Sequence, residues 1–175
     1  MQDSSFEIEV LKPQSQPYFL TMVEANKFFG DDPSFYDRCF ERQSLGELDI
    51  VLALSQEQCM GYGLLNWQPK YAYFKKLGLP EIQDLNVVSD YRRRGVGAAL
   101  IKFCENMAIQ KGYDEMGIGV GLDSSFASAQ RLYVKGGYVP DGQGISYDRK
   151  QVTAGEFRPI AVSYTHLTLP TISSV

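Results

Sequence analysis

Histidine is nearly missing from this chain, with His166 the single one among 175 residues. Cysteine is scarce as well: Cys39, Cys59 and Cys104 are odd in number, far apart and never spaced C-x-x-C. That pattern excludes a disulfide framework or a cysteine zinc site and reads as buried or partly buried thiols in a reducing cytoplasm. Long apolar runs are absent too; nothing approaches the roughly 18 residues of a membrane span. The opening MQDSSFEIEV has no basic segment followed by an apolar one, so no signal peptide and a cytoplasmic location are expected. Excess positive charge is lacking: the net charge is −4 and the pI near 5.0, which argues against a general nucleic-acid binder. Gly-Lys-Ser/Thr occurs nowhere, which removes the nucleotide P-loop. No repeat or low-complexity segment interrupts the chain.

What is present is a 44% hydrophobic sequence, enough for one soluble domain with a full core. It is organised around LNVVSDYRRRGVGAALI, Leu85 to Ile101. An apolar strand passes through a turn with three arginines into a helix whose first residues are small. Arg92, Gly95 and Gly97 fall in the spacing R-x-x-G-x-G. Glycine lets a backbone approach a ligand closely, and the first N–H groups of a helix, at the positive end of its dipole, form an anion site. Arg92, Arg93 and Arg94 add charge that phosphate can use. In an acidic chain this basic cluster is local and suits a small anionic ligand. A dinucleotide fingerprint would need glycine or alanine at position 100, which is Leu100. The bland alternative is a glycine-rich strand–helix turn on a basic surface.

The turn VVSDYRRRGVG resembles the pyrophosphate-binding motif of the GNAT superfamily of acyl-CoA-dependent N-acyltransferases, Q/R-x-x-G-x-G/A. The element order supports the likeness. Phe6–Leu11 alternates as a strand. Gln16–Phe29, stopped by Gly30 and Pro33, and Phe35–Leu45 read as helices. Asp49–Leu54 and Cys59–Trp67 read as a hairpin with a loop longer than two residues, and Gly61 and Gly63 suggest a bulge or a close backbone approach. Gln68–Pro80 reads as a loop and a candidate acceptor-side flap. Glu81–Val88 is the strand before the anion turn and Gly95–Gln110 the helix after it. Glu115–Leu122 is a strand. A helix capped by Ser124 or Ser125 then runs to about Lys135 and ends at Gly136-Gly137, before an extended segment from Tyr138. The resemblance implies an α/β (α+β) fold, a mixed central sheet flanked by helices on both faces. On helix two, Tyr36, Cys39 and Phe40 share one face; core packing is the plainer reading, and lining an acceptor pocket the other.

The GNAT-like domain is expected over residues 6–161. Residues 162–175, VSYTHLTLPTISSV, carry no charge and look like a translated sequencing adapter rather than a native last strand. GNAT domains usually end in a strand inserted between the two preceding ones. Its loss would leave two open edges, unless the tail fills the slot. His166 lies in this tail, so histidine catalysis and a histidine metal site are unsupported, and no metal is expected.

The resemblance further implies acetyl-CoA as cosubstrate and direct attack by an amine on its thioester, in a ternary complex. The backbone of Val87 and Val88 is assigned to the pantetheine arm, and the N–H groups around Arg93, Arg94, Gly95, Val96, Gly97 and Ala98 to the pyrophosphate. Ala129-Gln130-Arg131-Leu132-Tyr133, then Gly137-Tyr138, match the family's A-x-x-L-Y…G-aromatic signature. Tyr133 thereby becomes the candidate acid for the leaving thiolate, against the plainer reading of a half-buried helix tyrosine. Phe126 stands where asparagine is usual, so the contact asparagine makes with the cofactor must be replaced or absent. Glu81 begins the motif strand where some members of the family carry a catalytic glutamate and is the preferred general base, against the plainer reading of an exposed strand-start carboxylate. Asp84, three residues on, would point to the opposite sheet face in a regular strand. The expected acceptor is a small-molecule or peptide amine, and the protein a monomer or homodimer that binds neither nucleic acid nor membrane. A non-catalytic acyl-CoA-binding GNAT sensor is the alternative function, and a nucleotide-binding oxidoreductase a weaker third.

Overall fold

The alternating and apolar runs of the sequence become strands in the computed structural model, which describes residues 5–28, 32, 34–56, 58–148, 150–159 and 163–172. The expected helix stop at Phe29, Gly30 and Pro33 and the expected domain boundary at 161/162 lie outside the described residues. Contacts divide the chain into two compact units, Met1–Asn66 with Gln83–Cys104, and Trp67–Ile82 with Glu105–Val175.

The first unit carries β1 (Glu7–Val10), α1 (Gln16–Asn26), α2 (Phe35–Ser44), β2 (Leu48–Ser55) and β3 (Gln58–Asn66). It also holds most of β4 (Glu81–Val87) and the first part of α4 (Val96–Gln110). Its strand order is β1-β2-β3-β4. β1 runs antiparallel to β2 and β2 to β3, with a register shift between Ala53 and Leu54. Ser55 pairs with Gln58, so the hairpin loop has two residues, tighter than the sequence suggested. Gln56 makes that possible by adopting a left-handed φ of 46°, as a short hairpin turn demands.

Phe19, Met22 and Val23 recur at helical spacing on α1 and are buried, as are Tyr36 and Cys39 on α2. They close over the inner face of β2 and β3. The Phe19 ring meets Tyr36 and Tyr62 edge-on, with centroids 5.1 and 5.3 Å away. Gln43 joins the layers: its amide donates to the Leu11 carbonyl at 3.1 Å and accepts from the Ile50 N–H at 2.8 Å. Gly61 answers to the predicted close approach. A Cβ there would lie 2.6 Å from the Asn86 carbonyl oxygen and 3.0 Å from the Val87 Cα.

The second unit contains α3 (Ala72–Leu77), the first residues of β4, the end of α4, β5 (Met116–Gly121), α5 (Ala127–Lys135), β6 (Val139–Tyr147), β7 (Lys150–Gln151) and β8 (Ser163–Leu169). Its order is β4-β5-β8-β6-β7. β4 and β5 are parallel (Glu81 opposite Gly117), whereas β8 is antiparallel to both β5 and β6. The sheet is therefore mixed and flanked by helices, as the GNAT resemblance implied.

Two expectations need correction here. Gln68–Pro80 is not all loop, because it contains α3, closed by Gly78 at φ 69°. The helix is only six residues long, and what holds it is burial. The Phe74 ring is fully enclosed and covers Gly117, where no Cβ intervenes. A docked segment of this kind is not a free flap. Likewise, no serine caps α5. The Asp123 carboxylate accepts from the Ser125 N–H at 2.9 Å and starts a single 3-10 turn, Ser124–Phe126, that leads into the helix. Ser163–Leu169 occupies the slot between β5 and β6, so the edges of both strands are paired.

Candidate active site

In the first unit, β4 gives way to a 3-10 turn, Ser89–Tyr91, and then to the arginine turn. Arg93 and Gly95 are both left-handed, at φ 60° and 85°, with Arg94 between them. Such alternation curls successive N–H groups toward a common centre, a concavity suited to anions. A Cβ on Gly95 would meet nothing within 4 Å, so glycine is required there by backbone conformation alone. Arg92, Arg93, Arg94, Gly95 and Ala98 are exposed, Gly97 is half-buried and Val96 is buried. The first turn of α4 holds no acidic residue that would oppose an anion at its N-terminus. The turn is braced from within: the Arg92 Nε donates to the Val87 carbonyl at 3.0 Å, and the Arg94 guanidinium lies 5.6 Å from the Tyr91 ring centroid.

Val87 and Val88 are half-buried at the end of β4. Their backbone is partly engaged already. The Val88 N–H donates to the Met60 carbonyl at 2.9 Å, and the Val88 carbonyl accepts from Tyr91 at 2.9 Å. A carbonyl has two lone pairs, so each can still take a second donor.

Asp84 interrupts β4. Its φ of 49° is unusual for a non-glycine residue and breaks the two-residue alternation. The Tyr62 hydroxyl donates a short hydrogen bond to Asp84 Oδ2, and the Asn86 amide donates to Oδ1 at 2.9 Å. Asn86 also reaches the Tyr62 oxygen at 3.1 Å, and the Tyr36 and Tyr62 hydroxyls lie 2.8 Å apart. Asp84 keeps exposed surface, yet protein atoms crowd its carboxyl closely. The desolvation pushes its pKa up, against the downward pull of the Tyr62 and Asn86 hydrogen bonds. Burial likewise pushes both phenols up, and the Cys39 thiol up to about 11, with the Asp84 charge adding to each. Sequence reasoning placed Tyr36 in the core and ranked Asp84 second; Tyr62 and Asn86 went unnoticed. The polar tip of an otherwise apolar β3 was the only signal for Tyr62.

In the second unit, Tyr133 is buried on α5, its ring 6.3 Å from that of Tyr138. Burial alone pushes its phenol up to about 12, so it is fully protonated at neutral pH. Phe126 lies with its ring on Gly121, and the Gln130 amide donates to the Gly121 carbonyl at 2.9 Å. Glu81 is only 3% exposed. Its Oε1 is 3.8 Å from His166 Nε2, and His166 stacks flat on Tyr71 with centroids 3.6 Å apart. Burial holds His166 down at about 4, partly offset by Asp141, so the imidazole is neutral at pH 7 and the contact is no ion pair. The Tyr71 hydroxyl donates to Asp141 at 2.8 Å. Among the described residues no three His, Cys, Asp or Glu side chains gather as a metal site, and no helix is long and apolar enough to cross a membrane.

No protein of curated function matches the sequence. Solved structures do match, over almost the whole chain. An N-acetyltransferase from Staphylococcus aureus is 14% identical, covering 97% of this chain and 100% of its own, with a TM-score of 0.68. An IAA acetyltransferase from Bacillus cereus is 18% identical, covering 94% and 99%, with a TM-score of 0.62. A GNAT family acetyltransferase from Elizabethkingia anophelis with acetyl-CoA bound is 19% identical, covering 96% and 99%, with a TM-score of 0.58. At these identities the likeness speaks for the fold. The sequence itself matches the model of the acetyltransferase (GNAT) family over residues 15–138, which takes in the arginine turn and the Tyr133 helix, and the chain belongs to that family of enzymes.

Proposed function

We propose that the protein is an acetyl-CoA-dependent N-acetyltransferase that moves an acetyl group to a primary amine by direct attack in a ternary complex. The observation that carries this reading is the arginine turn. Left-handed Arg93 and Gly95 open it, three exposed arginines surround it, and the N-terminus of a fifteen-residue helix lies behind it. That donor set fits a pyrophosphate: several backbone N–H groups plus guanidinium charge, with no carboxylate in the helix turn. The Elizabethkingia anophelis relative that carries acetyl-CoA lends support to the choice of ligand.

The thioester supplies an activated acetyl carbonyl. The rest falls to the chain's own residues. Backbone N–H groups from Arg93 to Ala98 hold the pyrophosphate, and the carbonyls of Val87 and Val88 flank the pantetheine arm. When the amine nitrogen forms its bond to the acetyl carbon, the C–S bond breaks and the sulfur leaves with its electron pair. Tyr133, protonated throughout the neutral range, donates the proton that sulfur then takes, and it is reprotonated from solvent. Glu81, the expected base, lies buried beside His166, which stacks on Tyr71.

The test is a thermal-shift titration with acetyl-CoA, desulfo-CoA and NAD. Dose-dependent stabilisation by both CoA ligands and none by NAD is expected. A flat response from a protein that melts cooperatively would overturn the proposal. Tyr133→Phe should then bind acetyl-CoA as the parent does and lose turnover at least tenfold, whereas a non-catalytic acyl-CoA sensor has no turnover to lose.

A further inference from the structure

Among the described residues the carboxylate of Asp84 is set apart from the other acids. It is exposed yet crowded, it sits on a left-handed residue, and the two side chains that hold it, Tyr62 and Asn86, are both neutral. Among the described residues no lysine or arginine pairs with it. Arg42, in the last turn of α2, is engaged by Glu47 at 3.3 Å and Asn66 at 2.8 Å. A non-glycine residue in this conformation is strained, and an anion crowded by protein atoms with no cation beside it carries a second cost. Two costs at one residue, with the carboxyl oxygens fixed by two donors, are what a site built to receive a positive charge looks like.

The surroundings narrow the chemistry. Phe28 lies 6.1 Å from Tyr62, and Phe35 lies 5.1 Å from Tyr36, centroid to centroid; both phenylalanines are half-buried. These rings stand next to the two tyrosines whose hydroxyls lead to the carboxylate, and aromatic faces of this kind favour a cation over an anionic ligand.

We propose that Asp84 is the catalytic carboxylate that receives the acceptor's ammonium group and takes its proton, so that the acceptor is a primary amine arriving as a cation. In that step an N–H bond of R–NH3+ breaks and an O–H bond forms on Asp84. The freed lone pair becomes the nucleophile. Once nitrogen is bonded to the acyl carbon its second N–H proton is acidic and passes to solvent as the amide forms, and Asp84 later returns its own proton there as well. Nothing is oxidised or reduced. Protein atoms crowding the carboxylate desolvate it in part and make it a stronger base than one free in solution, which brings it nearer the amine it must deprotonate. The kink at Asp84 matters because a regular strand would aim positions 81 and 84 at opposite faces, whereas a left-handed residue resets the direction of its own side chain. The proposal rests on the acetyltransferase reading above.

Asp84→Asn keeps the shape and loses the base. Three amines, phenethylamine, spermidine and lysine amide, would be offered with acetyl-CoA to the parent, Asp84→Asn and Glu81→Gln. For the best acceptor, kcat/KM should fall at least a hundredfold in Asp84→Asn, with acetyl-CoA affinity by calorimetry unchanged, and Glu81→Gln should fall less. Equal turnover in Asp84→Asn and the parent overturns the assignment. A parent that binds acetyl-CoA but acetylates none of the three overturns the cationic-amine class. A parent that does not bind acetyl-CoA overturns the underlying reading instead. Should Asp84→Asn fail to fold, Tyr62→Phe carries the test through the pH profile. Among the described residues the titratable groups facing Asp84 are Tyr62 from β3 and Tyr36 and Cys39 from α2, all neutral at pH 7. Loss of the Tyr62 hydrogen bond must therefore move the acid limb of kcat/KM to higher pH, and an unmoved limb overturns the proposal.

Discussion

Tyr36 and Tyr62 meet hydroxyl to hydroxyl at 2.8 Å inside an aromatic core, and their chain of hydrogen bonds ends on the carboxylate of Asp84. Two phenols do not need each other in an apolar interior, since phenylalanine would fill the same space without a polar group to satisfy. Their pairing gives Asp84 a fixed donor. Removing the inner member tests this from the side of stability. Tyr36→Phe leaves the Tyr62 hydroxyl donating to Asp84 and deletes one buried hydrogen bond. We expect a loss of about 1 kcal/mol in urea unfolding and acetyl-CoA affinity within twofold of the parent.

Asp84 itself should trade stability for function. Its folded pKa is raised, so ionising it works against folding. The conformational advantage of its neutral form is complete below its unfolded pKa and is lost as the pH rises through the folded one. At neutral pH the ionised carboxylate is therefore a burden, and Asp84→Asn should melt above the parent at pH 7 and at nearly the parent's temperature in strong acid. A lower melting temperature at pH 7 would contradict the crowded, unpaired carboxylate described here.

Gly61→Ala addresses the junction between β3 and the end of β4. Its new Cβ would lie 2.6 Å from one backbone atom and 3.0 Å from another, neither of which can rotate away. A cost of about 1–3 kcal/mol is expected. Because Asn86 and Val87 are the atoms displaced, acetyl-CoA affinity should fall along with the melting temperature. Gly95→Ala is the contrasting case. Space is open there and only the φ of 85° objects, so stability should fall by about 1 kcal/mol while calorimetry shows roughly tenfold weaker acetyl-CoA binding.

His166 gives the second unit an acid limit. Its pKa is depressed to about 4 by burial, so its share of stability is complete above an unfolded pKa of 6.5 and is lost as pH falls through 4. A displacement of that size corresponds to about 3 kcal/mol. His166→Phe should retain the stack on Tyr71 and flatten the stability profile between pH 6.5 and 4, read from urea midpoints across that range.

The arginine turn could be read from the chain because its requirements are local: a strand end, two glycines and a helix start, all within seventeen consecutive residues. The Tyr133 helix could be read for the same reason. Asp84 could not be placed, because face arguments assume an unbroken two-residue period, and one left-handed residue cancels them without leaving a mark in the sequence. Nor could α3. Its six residues hold together through Phe74 resting on Gly117, a pairing between positions more than forty apart in the chain. The expected serine cap of α5 is replaced by an Asp123 cap on the 3-10 turn before it, since aspartate and serine offer the same acceptor to a free N–H and Asp123, Ser124 and Ser125 are adjacent. The Tyr36–Tyr62 pair was hidden in another way, as tyrosines in a core stripe look like packing until their hydroxyls are seen to meet.

β8 lies between β5 and β6 although it follows both in the chain, and this has a consequence for how the protein is made. A ribosome delivers β5 and β6 while the strand that separates them is still to come. During that interval each presents a row of unbonded N–H and C=O groups, and the nearest partner available to either is the other, in a pairing that the finished molecule does not contain. The second unit must therefore wait, or pair wrongly and then open again to admit residues 163–169. Its assembly is expected to be the slow step in synthesis and the one most helped by a chaperone that shields strand edges.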